Sequence, residues 1–282
     1  MIAVLTDSTC DLPPAALRDL GAGMLPLEVR LNGQTLRDWE EVTPQQVFGQ
    51  LERGAEVRTG PVEVSAFRQR YRELLERYDG VVSIHISSGL SQTVAHARQA
   101  VAALNEADRI RVIDSGVSSV LVASATLAAQ RAAARGGTLQ EVEQAAAQTL
   151  ASQYGEFTVP SLEYLRRGGR ISAVQHAVGN LLGLRPVVAF ERGQLKAVRR
   201  VGTEQAAQDI LLRLRERFGS EPVSVAVGLA GHSPERLREL REQMKASGLN
   251  IRAGRTQLIG SVIGAHTGPG MFAFVAEPFR GH

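Results

Sequence analysis

The sequence predicts an α/β fold in two domains, an N-terminal parallel-sheet domain over residues 1–155 and a C-terminal α/β domain with antiparallel strands over residues 156–282. Three observations carry that prediction. Short apolar runs at Ile2–Leu5, Val81–Ile86 and Ile110–Ile113 each end at a polar turn that opens a helical pattern, the signature of parallel strands joined by crossover helices. Beyond Glu156 the texture changes, because Pro186–Phe190 and Gln194–Val198 flank Glu191-Arg192-Gly193 as the two arms of a hairpin. A chain of 282 residues with 44% hydrophobic content is long enough to bury one large core or two modest ones.

Taken in order, the first strand runs into Thr6-Asp7-Ser8-Thr9-Cys10-Asp11-Leu12-Pro13, with a helix entered at Pro13. Leu25 to Gly33 alternates and meets an Asn32-Gly33 turn signal, so a hairpin is expected to decorate the sheet. Arg58-Thr59-Gly60-Pro61 reads as a turn before an amphipathic helix containing Phe67, Tyr71, Leu74 and Leu75. The strand at Val81–Ile86 feeds a helix through Ala95, Ala97, Val101 and Leu104. Val120–Ala134 is an alanine-rich helix, and Thr138-Leu139-Gln140-Glu141 has capping-box spacing that opens another, to about Tyr154. Further helices are expected at Thr203–Phe218 and Ser233–Ser247, with apolar segments at Val223–Val227 and Met271–Val275.

Composition excludes several function classes. Net charge is only +3, and basic residues alternate with acids, as in Glu235-Arg236-Leu237-Arg238-Glu239; a DNA-binding regulator would need a continuous basic stripe. Cys10 is the single cysteine, so an internal disulfide and a C-x-x-C site are excluded, and a small buried side chain is expected there. With no basic and apolar leader and no apolar run near the ~20 residues of a bilayer span, a cytoplasmic protein without membrane insertion is expected. The phosphate loop G-x-x-x-x-G-K-[ST], H-E-x-x-H, G-x-S-x-G and a Rossmann G-x-G-x-x-G after the first strand are all missing.

The strongest functional signal is Ile84-His85-Ile86-Ser87-Ser88-Gly89-Leu90-Ser91-Gln92-Thr93, where an apolar strand delivers four hydroxyls into a helix start. Free amides and the helix dipole converge at such a junction, which suits a phosphate or carboxylate; helix capping is the alternative reading of Ser87 or Ser88 individually. Asp7, Ser8 and Asp11 after the first strand, and Asp114-Ser115-Gly116-Val117-Ser118-Ser119 after the third, place similar groups on the same rim, as ligand contacts or as turn and cap formers. Thr59 faces either a ligand or solvent. Among Arg166, Arg167 and Arg170, the first two fit a helix end closed by Gly168, whereas Arg170 lies beyond the glycines, and a guanidinium suits a carboxylate or phosphate. His266 sits in a glycine-rich turn, Gly260 to Gly270, that is expected to approach a ligand closely; His85, His96, His176 and His232 read as structural.

With these residues assembled, the chain resembles the DegV family of bacterial fatty-acid-binding proteins. The matching pieces are Thr6–Leu12, Ser87–Ser91, Asp114-Ser115, Leu162–Ser172, Gly183–Pro186 and Gly264–Gly270. The resemblance implies a two-domain fold that holds a long-chain fatty acid between the domains, with no cofactor and no catalysis of its own. It places Thr59 and Ser91 on the carboxylate, with Arg170 and His266 nearby and Ser88 and Gly89 in the same loop. It implies a partner too, an ATP-dependent fatty acid kinase that makes an acyl phosphate; Arg199 and Arg200, after the hairpin, are candidates for its contact surface if they are exposed. The chain departs from the family in carrying Gly60-Pro61-Val62-Glu63 after Thr59 and Gln92 in place of a glycine after Ser91. Burying each methylene is worth ~0.8 kcal/mol, so an acyl tail supplies affinity while the head needs hydrogen bonds to offset its desolvation. The rival reading is an enzyme acting on a small phosphorylated or carboxylated metabolite in the same crevice.

Overall fold

The computed structural model describes residues 1–171 and 183–281. Ser172 and His176, named above, lie outside the described residues. Strand β1 (Ile2–Asp7) leads through a 3-10 turn at Ser8–Cys10 into α1 (Pro14–Asp19) and β2 (Gly23–Leu25). A hairpin of β3 (Glu28–Leu31) and β4 (Gln34–Arg37) precedes α2 (Pro44–Glu52), β5 (Val57–Gly60) and α3 (Val64–Leu75). Next come β6 (Gly80–His85), α4 (Thr93–Leu104), β7 (Ile110–Asp114), α5 (Val120–Ala134) and α6 (Leu139–Ser152). The remainder holds β8 (Tyr154–Thr158), α7 (Glu163–Arg167), β9 (Leu184–Glu191), β10 (Gln194–Gly202) and α8 (Ala206–Phe218). It continues through β11 (Val223–Leu229), α9 (Pro234–Lys245), β12 (Ile251–Leu258), α10 (Ser261–Thr267) and β13 (Phe272–Pro278).

Among the described residues the strands form three sheets. The first runs β2-β1-β6-β7 and is wholly parallel; every residue of β6 is buried, as expected of a strand covered on both faces. The second runs β10-β9-β8-β13-β11-β12 and is antiparallel except for the β11–β12 pair. Two capping boxes, Thr43 with Gln46 and Thr138 with Glu141, start α2 and α6 by satisfying amides that have no partner inside the helix.

Three expectations need correction. The Asn32-Gly33 hairpin forms, but it builds a separate antiparallel sheet, β4-β3-β5, instead of extending the parallel one. Thr59 therefore stands on strand β5 opposite Val29, not in a turn, because β3 supplies the pairing partner that Arg58-Thr59-Gly60 needs. His266 belongs to the last turn of helix α10, not to a loop. The glycines around it make room for protein, not ligand: a Cβ on Gly264 would stand 2.5 Å from the Phe48 ring, and one on Gly268 would strike Tyr164.

One apolar cluster joins both large sheets. It includes Leu5 and Val81 from the first, Ile86 just past β6, Phe157, Val188, Ala273 and Val275 from the second, Phe48 of α2, and Val262 and Ile263 of α10. Polar ties reinforce it: Ser87 Oγ donates to the Gly193 carbonyl (2.6 Å), Gln257 Nε2 to the Cys10 carbonyl (2.7 Å), and Arg255 Nη2 to Ser124 Oγ (2.9 Å). Buried Cys10 has its thiol pushed up by burial, so it serves as a packing residue.

Arg199 is not an open contact residue. It lies within β10, where its guanidinium donates to both oxygens of Glu156, a side chain only 2% exposed, and to Asp209 of α8. Tyr154 Oη donates to the same Glu156 carboxylate at 2.7 Å. Removing the guanidinium leaves a buried anion without its counter-charge, so Arg199→Ala is expected to lower unfolding free energy by about 3 kcal/mol, measured by urea titration. An unchanged midpoint would show that the pair carries no net stability.

Candidate functional site

A cavity of about 470 Å³ opens between the two large sheets, within the range of small-molecule sites. Its walls are mostly apolar: Leu27, Ile86, Val120 and Leu121 from the first part of the chain, and Phe157, Phe190, Leu195, Met271 and Val275 from the second. Alternation makes the second wall. Phe157 of β8 faces the cavity cluster, whereas Glu156, one residue earlier, points to the opposite face and its Arg199 partner. Only the start of α5 reaches the cavity; Val122, Ala125 and Ala129 pack in a different cluster under β1 and β6.

The polar lining includes a group assembled from four separate segments. Thr59 Oγ1 of β5 and His266 Nε2 of α10 lie 2.7 Å apart in a hydrogen bond. Arg170, after α7, donates from Nε (3.3 Å) and Nη2 (3.1 Å) to the Leu90 carbonyl and from Nη1 (2.6 Å) to the Gly168 carbonyl. Each terminal nitrogen keeps a second N–H beyond those bonds. Leu90 is the neighbour of Ser91, so the same contact draws the serine loop to the arginine. Burial, then the Arg170 charge, pushes the His266 imidazolium down to about 4, so the ring is neutral at pH 7 beside a cation. Burial lowers Arg170 too.

The other proposed contacts are placed as follows. Ser91 lines the cavity half-buried, its Oγ 2.9 Å from Thr93 Oγ1 and accepting from the Thr93 amide at 3.3 Å. Ser88 lies on the rim but is engaged with Asp114, donating from its amide (3.1 Å) and its hydroxyl (2.5 Å). Burial opposes ionisation of Asp114, yet these bonds and the Gly116 amide hold its carboxyl below the usual range. Gly89 lets the hairpin approach, since a Cβ there would strike the Gly193 carbonyl. Arg166 and Arg167 pair with Glu163 at the end of α7, the helix-end role considered for them. His85 is structural: buried Asp7 accepts its Nδ1–H at 2.9 Å and the Ile86 amide at 3.0 Å.

The lining residues Leu27, Phe157, Phe190 and Leu195 carry no functional signal in the sequence, because an apolar residue facing a cavity looks like one facing a core. Gly168, read as a helix terminator, also packs against the His266 ring. Among the described residues no cluster of three or more His, Cys, Asp or Glu fits a metal ion.

The DegV family model, described as an uncharacterised protein family, matches residues 1–278. The chain belongs to the DegV family. A DegV domain-containing protein from Streptomyces coelicolor is 34% identical over 98% of both chains. A solved structure concerned with fatty acid binding of a DegV family protein from Thermus thermophilus superposes with a TM-score of 0.91, at 35% identity and 99% coverage of both chains. DegV from Bacillus subtilis, described as a fatty acid binding protein, gives 0.87 at 26% identity and 99% coverage of both. These relatives are full-length matches, so the α/β arrangement of a parallel sheet and a mixed sheet is that of the DegV fold, and no helix among the described residues is long and apolar enough to cross a membrane.

Half-buried His266 and fully buried Asp38, which lies near α10, give opposite pH dependences. His266 takes a proton at 6.5 when unfolded and at about 4 when folded; the stability it contributes by staying neutral is whole above 6.5 and is lost as pH falls to 4. Asp38 is raised by burial from 3.8 to about 6, so its contribution is whole below 3.8 and is lost as pH rises through 6. Removing one slope should uncover the other. Asp38→Asn is expected to make stability fall more steeply on acidification between pH 6.5 and 4 than in the parent, measured by urea unfolding at stepped pH; equal slopes would contradict this assignment.

Proposed function

We propose that this protein binds a long-chain fatty acid in the cavity, with lobes of residues 1–155 and 156–282 enclosing the acyl chain, Thr59 and Ser91 on the carboxylate, and Arg170 and His266 beside it. The observation that carries the reading is the pairing of an apolar cavity of about 470 Å³ with a compact group of donors on its wall. A small phosphorylated or carboxylated metabolite would leave most of that apolar wall without a partner. An acyl chain uses all of it: at ~0.8 kcal/mol per methylene, about a dozen methylenes bring on the order of 10 kcal/mol before association costs. The fatty acid binding described for the relatives from Thermus thermophilus and Bacillus subtilis supports the same ligand class.

The protein has the role of a carrier in this reading, and the carboxylate is presented to a separate ATP-dependent kinase for acyl phosphate formation. Half-buried Ser91 beside exposed Gln92 keeps the head-group end accessible from outside, which a phosphoryl donor requires. Ser88 and Gly89 border this opening and shape it through Asp114 and the Gly193 hairpin.

Native mass spectrometry of the purified protein is expected to show a bound fatty acid. Arg170→Ala is expected to weaken oleate binding about 10- to 100-fold in a fluorescence displacement titration, the range of a charge-assisted hydrogen bond. Absence of lipid together with unaltered oleate affinity would refute the reading. Arg200, exposed on β10, is the remaining candidate for the kinase surface, and Arg200→Glu is expected to slow acyl phosphate formation in the reconstituted pair at unchanged oleate affinity. An unchanged rate would remove Arg200 from that surface.

A further inference from the structure

Resting on the reading that the site receives a carboxylate, we infer that Gly168 fixes His266 as the tautomer protonated on Nε2, and that this choice leaves the Thr59 hydroxyl proton free for the ligand. The geometry is specific. His266 Nδ1 lies against the α-carbon of Gly168, so closely that a Cβ at position 168 would overlap the ring nitrogen. Nδ1 is buried and has no hydrogen-bond partner among the described residues, while Nε2 is bonded to Thr59 Oγ1 at 2.7 Å.

A neutral imidazole carries one proton, on one nitrogen or the other. A proton on Nδ1 would point at the hydrogens of the Gly168 α-carbon and become a buried donor without an acceptor, the less tolerated kind of orphan. A bare Nδ1 instead turns its lone pair towards those hydrogens, a weak but favourable contact. The proton therefore belongs to Nε2, which donates to Thr59 Oγ1.

The consequence falls on Thr59. A hydroxyl has one proton and two lone pairs. Were Nε2 unprotonated, Thr59 would have to donate to it, and the carboxylate would meet only oxygen lone pairs. With Nε2–H donating, one lone pair is used and the Thr59 proton turns into the cavity, on the same wall as the remaining N–H groups of Arg170. Gly168 thus acts as a positioning residue through His266. Its φ of −76° is open to any residue, so Gly168→Ala adds a methyl group at this contact without straining the backbone.

The test is long-range 15N–1H correlation of the histidine rings, which distinguishes the tautomers without any ligand, together with oleate titration of the parent and Gly168→Ala. The expected results are an Nε2–H signature for His266 in the parent, altered in Gly168→Ala, and at least a tenfold loss of oleate affinity in that variant. An Nδ1–H signature in the parent overturns the inference, and so does a Gly168→Ala protein with the parent's signature and affinity. Failure of the folded parent to bind oleate refutes the carboxylate reading instead, and the ring signature still decides the tautomer.

Discussion

An anion enters an apolar cavity only where donors already wait for it, and the hydrogen bond between Thr59 and His266 is the contact on which that condition depends. It joins β5 of the small antiparallel sheet to α10, which packs against α2 and α7. Without it, Thr59 would be one more hydroxyl on a strand and His266 a ring with two idle nitrogens. Low dielectric raises the stakes, since a buried donor left unpaired costs more than the same group in water. Neutral His266 beside cationic Arg170 gives the group a single net positive charge, which a carboxylate would neutralise.

The fold serves that contact by converging on α10. Phe48 from α2 occupies the space beside Gly264, Tyr164 from α7 the space beside Gly268, and Gly168 the space beside His266. Absent side chains thus define the position of the helix as firmly as present ones do. Around this anchor the sheets divide the remaining work. Parallel strands β1, β6 and β7 bring their carboxyl ends to one rim, where Asp7 and Asp114 organise the loops, and the mixed sheet supplies an apolar wall from Phe157 of β8, Phe190 of β9, Leu195 of β10, and Ala273 and Val275 of β13.

Local rules made part of this legible. Asn32-Gly33 reads as a tight turn because both residues adopt positive φ, 52° and 78°, and Thr138 with Glu141 reads as a helix start because the capping box is contained in four residues. What depends on partners distant in sequence is hidden. Thr59 looks like a turn residue until β3 pairs with it, 30 residues away (Val29 opposite Thr59). The stretch around His266 looks too rich in glycine for a helix, and the reason for those glycines lies in Phe48 and Tyr164, far off in the chain. Arg199 shows the same limit, since nothing near it in sequence announces the buried carboxylate of Glu156. The apolar cavity wall is the least legible of all, because hydropathy does not distinguish a residue that faces a ligand from one that faces a core.

The most direct measurement is 13C NMR of carboxyl-labelled oleate on the protein as a function of pH. A carboxylate held by Thr59, Ser91 and the Arg170 charge should give a resolved bound resonance that stays ionised to a lower pH than the free acid. Thr59→Val should move that resonance towards the free value. A bound carboxyl that titrates like the acid in water, or one indifferent to Thr59, would contradict a head group seated in this site.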